Sequence, residues 1–394
     1  MRFLKPLPEG FQNNTAGSWA WVSYEMPDYA ALPGQFNRSI FDAIANSEVS
    51  DHGLAKANEH INKTDFVVYD SKFFDILGPD AKVEHVHALP YRTHEAPCLV
   101  PDANELFFVE WGNPPDTGPS AQGQHSWHYL FNTKTYELKN ITTKPPTINI
   151  HGCVPYGDSL YVVTDGSVNE TGYMAKIDPK TWERTTVLNS YYEQPFGGFN
   201  DIAVDDEGNF YLTDSKSAWG NGLVRFPMPS RPSTYFVNGT TMRPKLIQST
   251  NGNANGVALS PSGRTIYLGD TGVLEYFPTR NDPNGARELW AYDFVSSVHR
   301  AKVPVLTNQR MLNTPINYFY DGIRVSIEGW ILAGSGDGVD LIDPETGLAL
   351  GSVRIGGGEA LAVSLALGWH EFWIVGRGGI WRLGPAFRRL RRFM

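Results

Sequence analysis

The sequence predicts an all-β chain, a six-bladed β-propeller with four-stranded antiparallel blades. Three observations carry this expectation. A motif of a polar residue, a short alternating apolar run, a turn and a second strand recurs at intervals of about 50 residues, the length of one blade. The 394 residues include 39 glycines, 27 prolines and 13% aromatic residues, which favours short strands and tight turns over helical bundles. The segments FNTKT (131–135), IDPKT (177–181) and IDPET (342–346) repeat a turn in which Asn or Asp-Pro sets up a tight reversal.

The motif starts at Glu95 (EAPCLVPDANELFFVEWGN), His151 (HGCVPYGDSLYVVTDGS), Asn200 (NDIAVDDEGNFYLTDS), Asn255 (NGVALSPSGRTIYLGDTG) and Asp321 (DGIRVSIEGWILAGSGDG). Each apolar run alternates with period two, as a strand requires. A sixth, divergent unit occupies 359–383, and DFVVYDSKFFDILG (65–78) is expected to supply strands that close the ring against it. Closure removes the sheet edges that would otherwise pair with other chains. Residues 1–60 read as an irregular leader, 61–384 as the propeller and 385–394 as a short basic, solvated tail.

Length alone allows two or three domains. Thirty-three Lys and Arg against 42 Asp and Glu give a net charge of −9, which excludes nucleic-acid binding by phosphate neutralisation. A charged share of 19% with many aromatics excludes disorder. There is no apolar run of the roughly 18 residues a membrane helix needs. The two cysteines, Cys98 and Cys153, read by default as buried free thiols, with one disulfide in an oxidising compartment as the alternative. Six Asn-x-Ser/Thr sequons, at Asn13, Asn37, Asn62, Asn140, Asn169 and Asn238, favour a secreted glycoprotein. The opening MRFLKPLPEG has no apolar signal region, so the expectation is a secretory origin with a cytoplasmic one as its rival.

In a propeller the innermost strand of each blade lines a central channel, so the residue opening it faces the axis. Glu95, His151, Asn200, Asn255 and Asp321 share this phase. Glu95, Asn200, Asn255 and Asp321 offer hard oxygen donors, the chemistry that Ca²⁺ selects. No sulfur and a single histidine make zinc or copper a poor match. Asp165, Asp214 and Asp270, near the ends of second strands, read as turn or inter-blade hydrogen-bonding residues. His370 in GWHEFW reads as a strand residue, and Glu359 has no assigned role. No nucleophile elbow, zinc helix or phosphate-binding glycine loop is present.

On these residues the chain resembles the gluconolactonase and senescence-marker-protein family of six-bladed calcium propellers, together with diisopropylfluorophosphatase-type enzymes and fungal lactonohydrolases. EAP at Glu95 is similar to that family's Glu-Gly-Pro, with Ala96 replacing glycine. FND at Asn200 is similar to Asn-Asp-Gly, with Ile202 replacing glycine, while NANG at Asn255 and YDG at Asp321 match Asn-Gly and Asp-Gly. The resemblance implies that Glu95, Asn200, Asn255 and Asp321 bind a catalytic calcium. INIHG at His151 is similar to the Asn-Pro-His-Gly of paraoxonase-like and fungal lactonases, which implies a proton-transfer histidine beside the metal.

The expected activity is a Ca²⁺-dependent hydrolase that opens a lactone or related ester, with Asp321 and His151 as acid–base or nucleophilic residues. The alternative is a non-hydrolytic enzyme of fungal secondary metabolism, a cyclase, pericyclase or isomerase on the same scaffold. The expected partner is a small molecule, and the expected state is a monomer.

Overall fold

A computed structural model describes residues 4–12, 15–22, 52–90, 93–112, 125–227, 229–276, 279–282, 284–295, 303–315, 319–336, 338–355 and 361–384. Asn13, Asn37, Glu359 and the basic tail 385–394 lie outside the described residues. The chain forms a six-bladed propeller of antiparallel four-stranded blades. From the channel outward, blade one comprises Thr93–Leu99, Glu105–Gly112, His125–Asn132 and Leu138–Ile141. Blade two comprises Ile150–Tyr156, Ser159–Thr164, Met174–Ile177 and Arg184–Leu188. Blade three comprises Phe199–Val204, Phe210–Asp214, Ser233–Val237 and Pro244–Ser249. Blade four comprises Ala254–Leu259, Thr265–Asp270, Leu289–Val295 and Val305–Asn313, with a hairpin of Leu274–Tyr276 and Thr279–Asn281 inserted. Blade five comprises Ile323–Val325, Ile331–Gly334, Gly338–Ile342 and Ala349–Arg354.

Blade six takes three strands from the end of the described chain, Leu361–Leu367, Phe372–Arg377 and Gly379–Leu383, and its outer strand, Val83–His87, from near the beginning. The closing strand is therefore not in 65–78, as the sequence suggested. Phe66–Val68 instead pairs with Gly351–Val353 at the outside of blade five, and Lys72–Leu77 is a helix. Trp19–Trp21, within the leader, pairs in parallel with Phe66–Val68, so this blade carries six strands. Trp19 stacks on Phe66 at 4.2 Å between ring centroids, which ties the leader strand to the propeller core.

The core lies between blades and follows from strand alternation, which sends neighbouring side chains to opposite sheet faces. In blade one Phe107 packs towards blade two while Phe108 packs towards Trp373 and Val375 of blade six. In blade two Val162 faces blade one, and Val163 joins Phe199, Phe210 and Leu212 of blade three. Leu332 of blade five meets Leu365 and Ile374 of blade six, whereas its neighbours Ile331 and Ala333 meet Leu289 and Ala291 of blade four. The inner strands touch in sequence around the ring, and the sixth touches the first.

The third-to-outer turn recurs as the sequence motif implied. Asn132, Asp178, Asn238 and Asp343 each accept backbone N–H groups two and three residues on. The fifth residue of each turn, Tyr136, Trp182, Met242 and Gly347, closes it with positive φ. Cys98 and Cys153 are not free thiols. They form a disulfide between the inner strands of blades one and two.

Burial holds His128, on the third strand of blade one, neutral, with its pKa pushed down to about 4 from 6.5. The unfolded chain takes up this proton near pH 6.5 and the folded chain only near 4. Stability therefore falls as pH drops through that window, by about 3 kcal/mol for this group. His128→Leu is expected to flatten the pH dependence of the urea unfolding midpoint between pH 6.5 and 4.

Candidate active site at the channel mouth

Each motif residue sits where its strand departs from regular pairing. The inner strands shift register between Glu95 and Cys98, Ile150 and Gly152, Phe199 and Ile202, and Ala254 and Val257. Such bulges re-aim side chains, and here they turn Glu95, His151, Asn200 and Asn255 inward. Asp321 precedes its strand, held by its N–H donating to the Gly334 carbonyl. Ala96 has φ 55°, a left-handed conformation that glycine adopts without strain, which gives a physical reason for glycine at this position in the family it resembles. Gly256 has a different reason. A Cβ there would collide with the carbonyl oxygen of Asp321, so this glycine lets blade five close on blade four.

Glu95, His151 and Asn200 converge, and Asp321 hydrogen-bonds Asn255 within electrostatic reach of Glu95 and His151. His151 Nε2 lies 3.5 Å from Glu95 Oε1 and 3.2 Å from Asn200 Nδ2. Its Nδ1 donates to Asp165 Oδ2 at 2.6 Å, and its ring packs 5.4 Å from that of Trp111. Asn255 donates through Nδ2 to Thr271 Oγ1 at 3.3 Å. Glu95, Asn200, Asn255 and Asp321 are all buried, while the side chain of His151 keeps 13% exposure. His370, in contrast, occupies the turn between Leu361–Leu367 and Phe372–Arg377 with φ 58°; it is neither a strand residue nor part of this group.

Two further residues belong to the site. Asp165 had the appearance of a turn residue, yet it holds the imidazole of His151. Asp201, beside Asn200, is buried with Oδ2 accepting from Val257 N at 3.2 Å and from Arg324 Nη1 at 3.1 Å. Asp214 and Asp270 are structural, as expected. Asp214 accepts from Gly198 N, and Asp270 accepts from Asn253 N and Gly272 N. Burial raises the pKa of Asp214 to about 7, with nearby Asp165 adding to the effect.

Electrostatics describes a site short of positive charge. Burial, with Asp201 and Asp165 adding to it, raises the pKa of Glu95 against the opposing pull of His151. Burial and then the charge of Glu95 hold Asp321 well above the carboxylate range. Burial disfavours charge on His151, but Asp165 and Glu95 outweigh it and keep the imidazole protonated well above 6.5. Among the described residues no three or more His, Cys, Asp or Glu side chains form a ligand set by themselves, so a metal here requires the amides. The amides suit that role. Asn255 uses its nitrogen on Thr271, which leaves its Oδ1 buried without a partner. A buried acceptor left unpaired costs roughly 1–3 kcal/mol, which a cation would recover. Two mutually repelling carboxylates and two amide oxygens therefore fit a hard divalent cation such as Ca²⁺.

Residues 94–370 match the family described as SMP-30/Gluconolactonase/LRE-like region. The chain is 26% identical to lactonohydrolase oryL of Aspergillus oryzae over 89% of this chain and 82% of that one. It is 24% identical to lactonohydrolase oryH of the same fungus over 97% of each chain. Among solved structures, a gluconolactonase from Xanthomonas campestris superposes with TM-score 0.60 at 17% identity, covering 83% of this chain and 95% of that one. The calcium-binding protein regucalcin from Agrobacterium tumefaciens superposes with TM-score 0.53 at 14% identity, covering 78% and 97%.

Proposed function

The chain belongs to the SMP-30/gluconolactonase/LRE-like family, and from that premise we propose that it is a Ca²⁺-dependent hydrolase that opens a lactone at the channel mouth. The observation that carries this reading is the convergence of His151 with Glu95 and Asn200 beside the unpartnered Asn255 oxygen. Glu95, Asn200, Asn255 and Asp321 would hold the ion, which supplies a Lewis acid for the lactone carbonyl.

The protein's own groups handle the water and the proton. Asp165 takes the Nδ1 hydrogen of His151 and so fixes the ring with Nε2 turned to the site. An ion that neutralised Glu95 would remove one of the two carboxylates that raise the pKa of His151 and so shift it downward, towards proton exchange at Nε2. His151 then accepts the proton of the attacking water and returns one to the ring oxygen as the acyl C–O bond breaks, leaving a hydroxy acid. Asp321, which the bound ion would hold ionised against burial and the charge of Glu95, would orient the water, or would attack the carbonyl to give an acyl anhydride that the water then hydrolyses. Trp111 backs the imidazole and shields it from solvent.

Stripping divalent cations with a chelator is expected to abolish opening of a lactone panel, and Ca²⁺ to restore it. Full activity in the stripped protein would remove the metal from the reaction. The non-hydrolytic alternative predicts conversion of a substrate without uptake of water.

The described residues contain no helix long and apolar enough to cross a membrane. The Cys98–Cys153 disulfide and the exposed sequon residues Asn140 and Asn169 support an oxidising, secretory route and glycosylation.

A further inference from the structure

Asp201 is joined to three inner strands at the points where they carry the site. It follows Asn200 in blade three. Its Oδ2 accepts from the backbone N–H of Val257, two residues after Asn255 in blade four. The same oxygen accepts from Nη1 of Arg324, three residues after Asp321 in blade five. Arg324 Nη1 also donates to its own strand's Ile323 carbonyl at 2.7 Å, so this one nitrogen ties the Asp201 carboxylate to the backbone of blade five, while Nη2 is buried without a partner. Asp201 Oδ1 accepts from Ile202 N, and Asp201 N donates to Thr213 Oγ1, which fixes the carboxylate in blade three. The pair is largely shielded, with side-chain exposures of 18% for Arg324 and 8% for Asp201.

We propose that Arg324 and Asp201 form a cross-channel clamp that sets the spacing of Asn200, Asn255 and Asp321 and so positions the donor set for its cation. Both are positioning residues that act through the donors. The inference rests on the calcium reading of the site. A guanidinium bonded to one carboxylate oxygen and one carbonyl is directional, and residues that orient a metal's ligands typically govern affinity by about 10- to 100-fold.

Arg324 makes the idea testable by sign. If it were only a charge near the site, removing it would lessen repulsion of a cation and raise affinity. If it is a clamp, removing it loosens three donors and lowers affinity. The experiment is calorimetric titration of the cation-stripped full chain with Ca²⁺ alone, for wild type, Arg324→Met, Arg324→Lys and Asp201→Asn, with a melting curve for each. We expect Arg324→Met to bind Ca²⁺ about 10-fold more weakly or worse and Arg324→Lys, which keeps the charge but is shorter and lacks the rigid planar group that aims Nη1 at both Asp201 and the Ile323 carbonyl, to fall in between. Unchanged or tighter binding by Arg324→Met, or wild-type affinity in Arg324→Lys, would overturn the clamp. Should Arg324→Met fail to fold, Arg324→Lys alone decides between the two. Failure of the wild-type chain to bind Ca²⁺ would overturn the calcium reading, and the clamp with it.

Discussion

Asp321→Asn is expected to lower kcat/KM for lactone opening by at least about 100-fold, the scale at which loss of a group acting on the developing charge is felt. The same change should have the opposite effect on the fold. Burial and the charge of Glu95 hold the folded-state pKa of Asp321 well above 3.8, so its ionisation costs stability as pH rises from that unfolded value. Asparagine keeps the shape and carries no charge. In cation-free buffer at pH 7 the variant should therefore melt above the wild type, and saturating Ca²⁺ should close or reverse the difference by stabilising the wild type more. A residue used only for packing would not give a lost activity together with a gained melting temperature.

Removing the disulfide should have the largest effect on stability. Cys98 and Cys153 are 55 residues apart in sequence, and closing a loop of that length removes about 4 kcal/mol of unfolded-chain entropy on the chain-entropy model. That is a large share of the roughly 5–15 kcal/mol that holds a typical domain folded. The double variant Cys98→Ser/Cys153→Ser is expected to unfold at a clearly lower denaturant concentration, and reducing agent should shift the wild type but not the variant. Because Cys98 follows Glu95 by three residues and Cys153 follows His151 by two, the variant should also bind Ca²⁺ more weakly. Equal unfolding midpoints for wild type and variant under oxidising conditions would contradict this account of the bond.

Much of the fold was legible because blades one, two, three and five repeat the same local grammar. A polar residue opens the inner strand, alternating apolar residues feed two interfaces, and an Asx turn ends the third strand. The closing strand was not legible. Val83–His87 reads VEHVH, with only two apolar residues, whereas the neighbouring Phe66–Val68 is wholly apolar and looks the better strand. The apolar segment is buried within an enlarged blade five, and the more polar one covers an outer edge.

The site divides in the same way. Glu95, His151, Asn200, Asn255 and Asp321 share a repeat phase, and phase is visible in a sequence. Asp165 lies 14 residues beyond His151, and only the pairing of Ile150 with Thr164 brings the two side by side. Asp201 bonds across two blade boundaries to Val257 and Arg324, which sit one and two positions later in their own repeats, so equal phase does not pair them. The disulfide was legible in part: the repeat places Cys98 and Cys153 in consecutive blades, which permits a bridge without requiring it, and the adjacent inner strands form it.

The central claim is that the inward-turned donors of blades one, three, four and five bind one calcium ion where the lactone is opened. A crystal structure of the protein grown with Ca²⁺, with the ion identified by anomalous scattering, tests it most directly. The account predicts calcium bound by Glu95, Asn200, Asn255 and Asp321, with His151 beside it. A calcium-saturated, active protein whose only ion sits away from these four residues would contradict it.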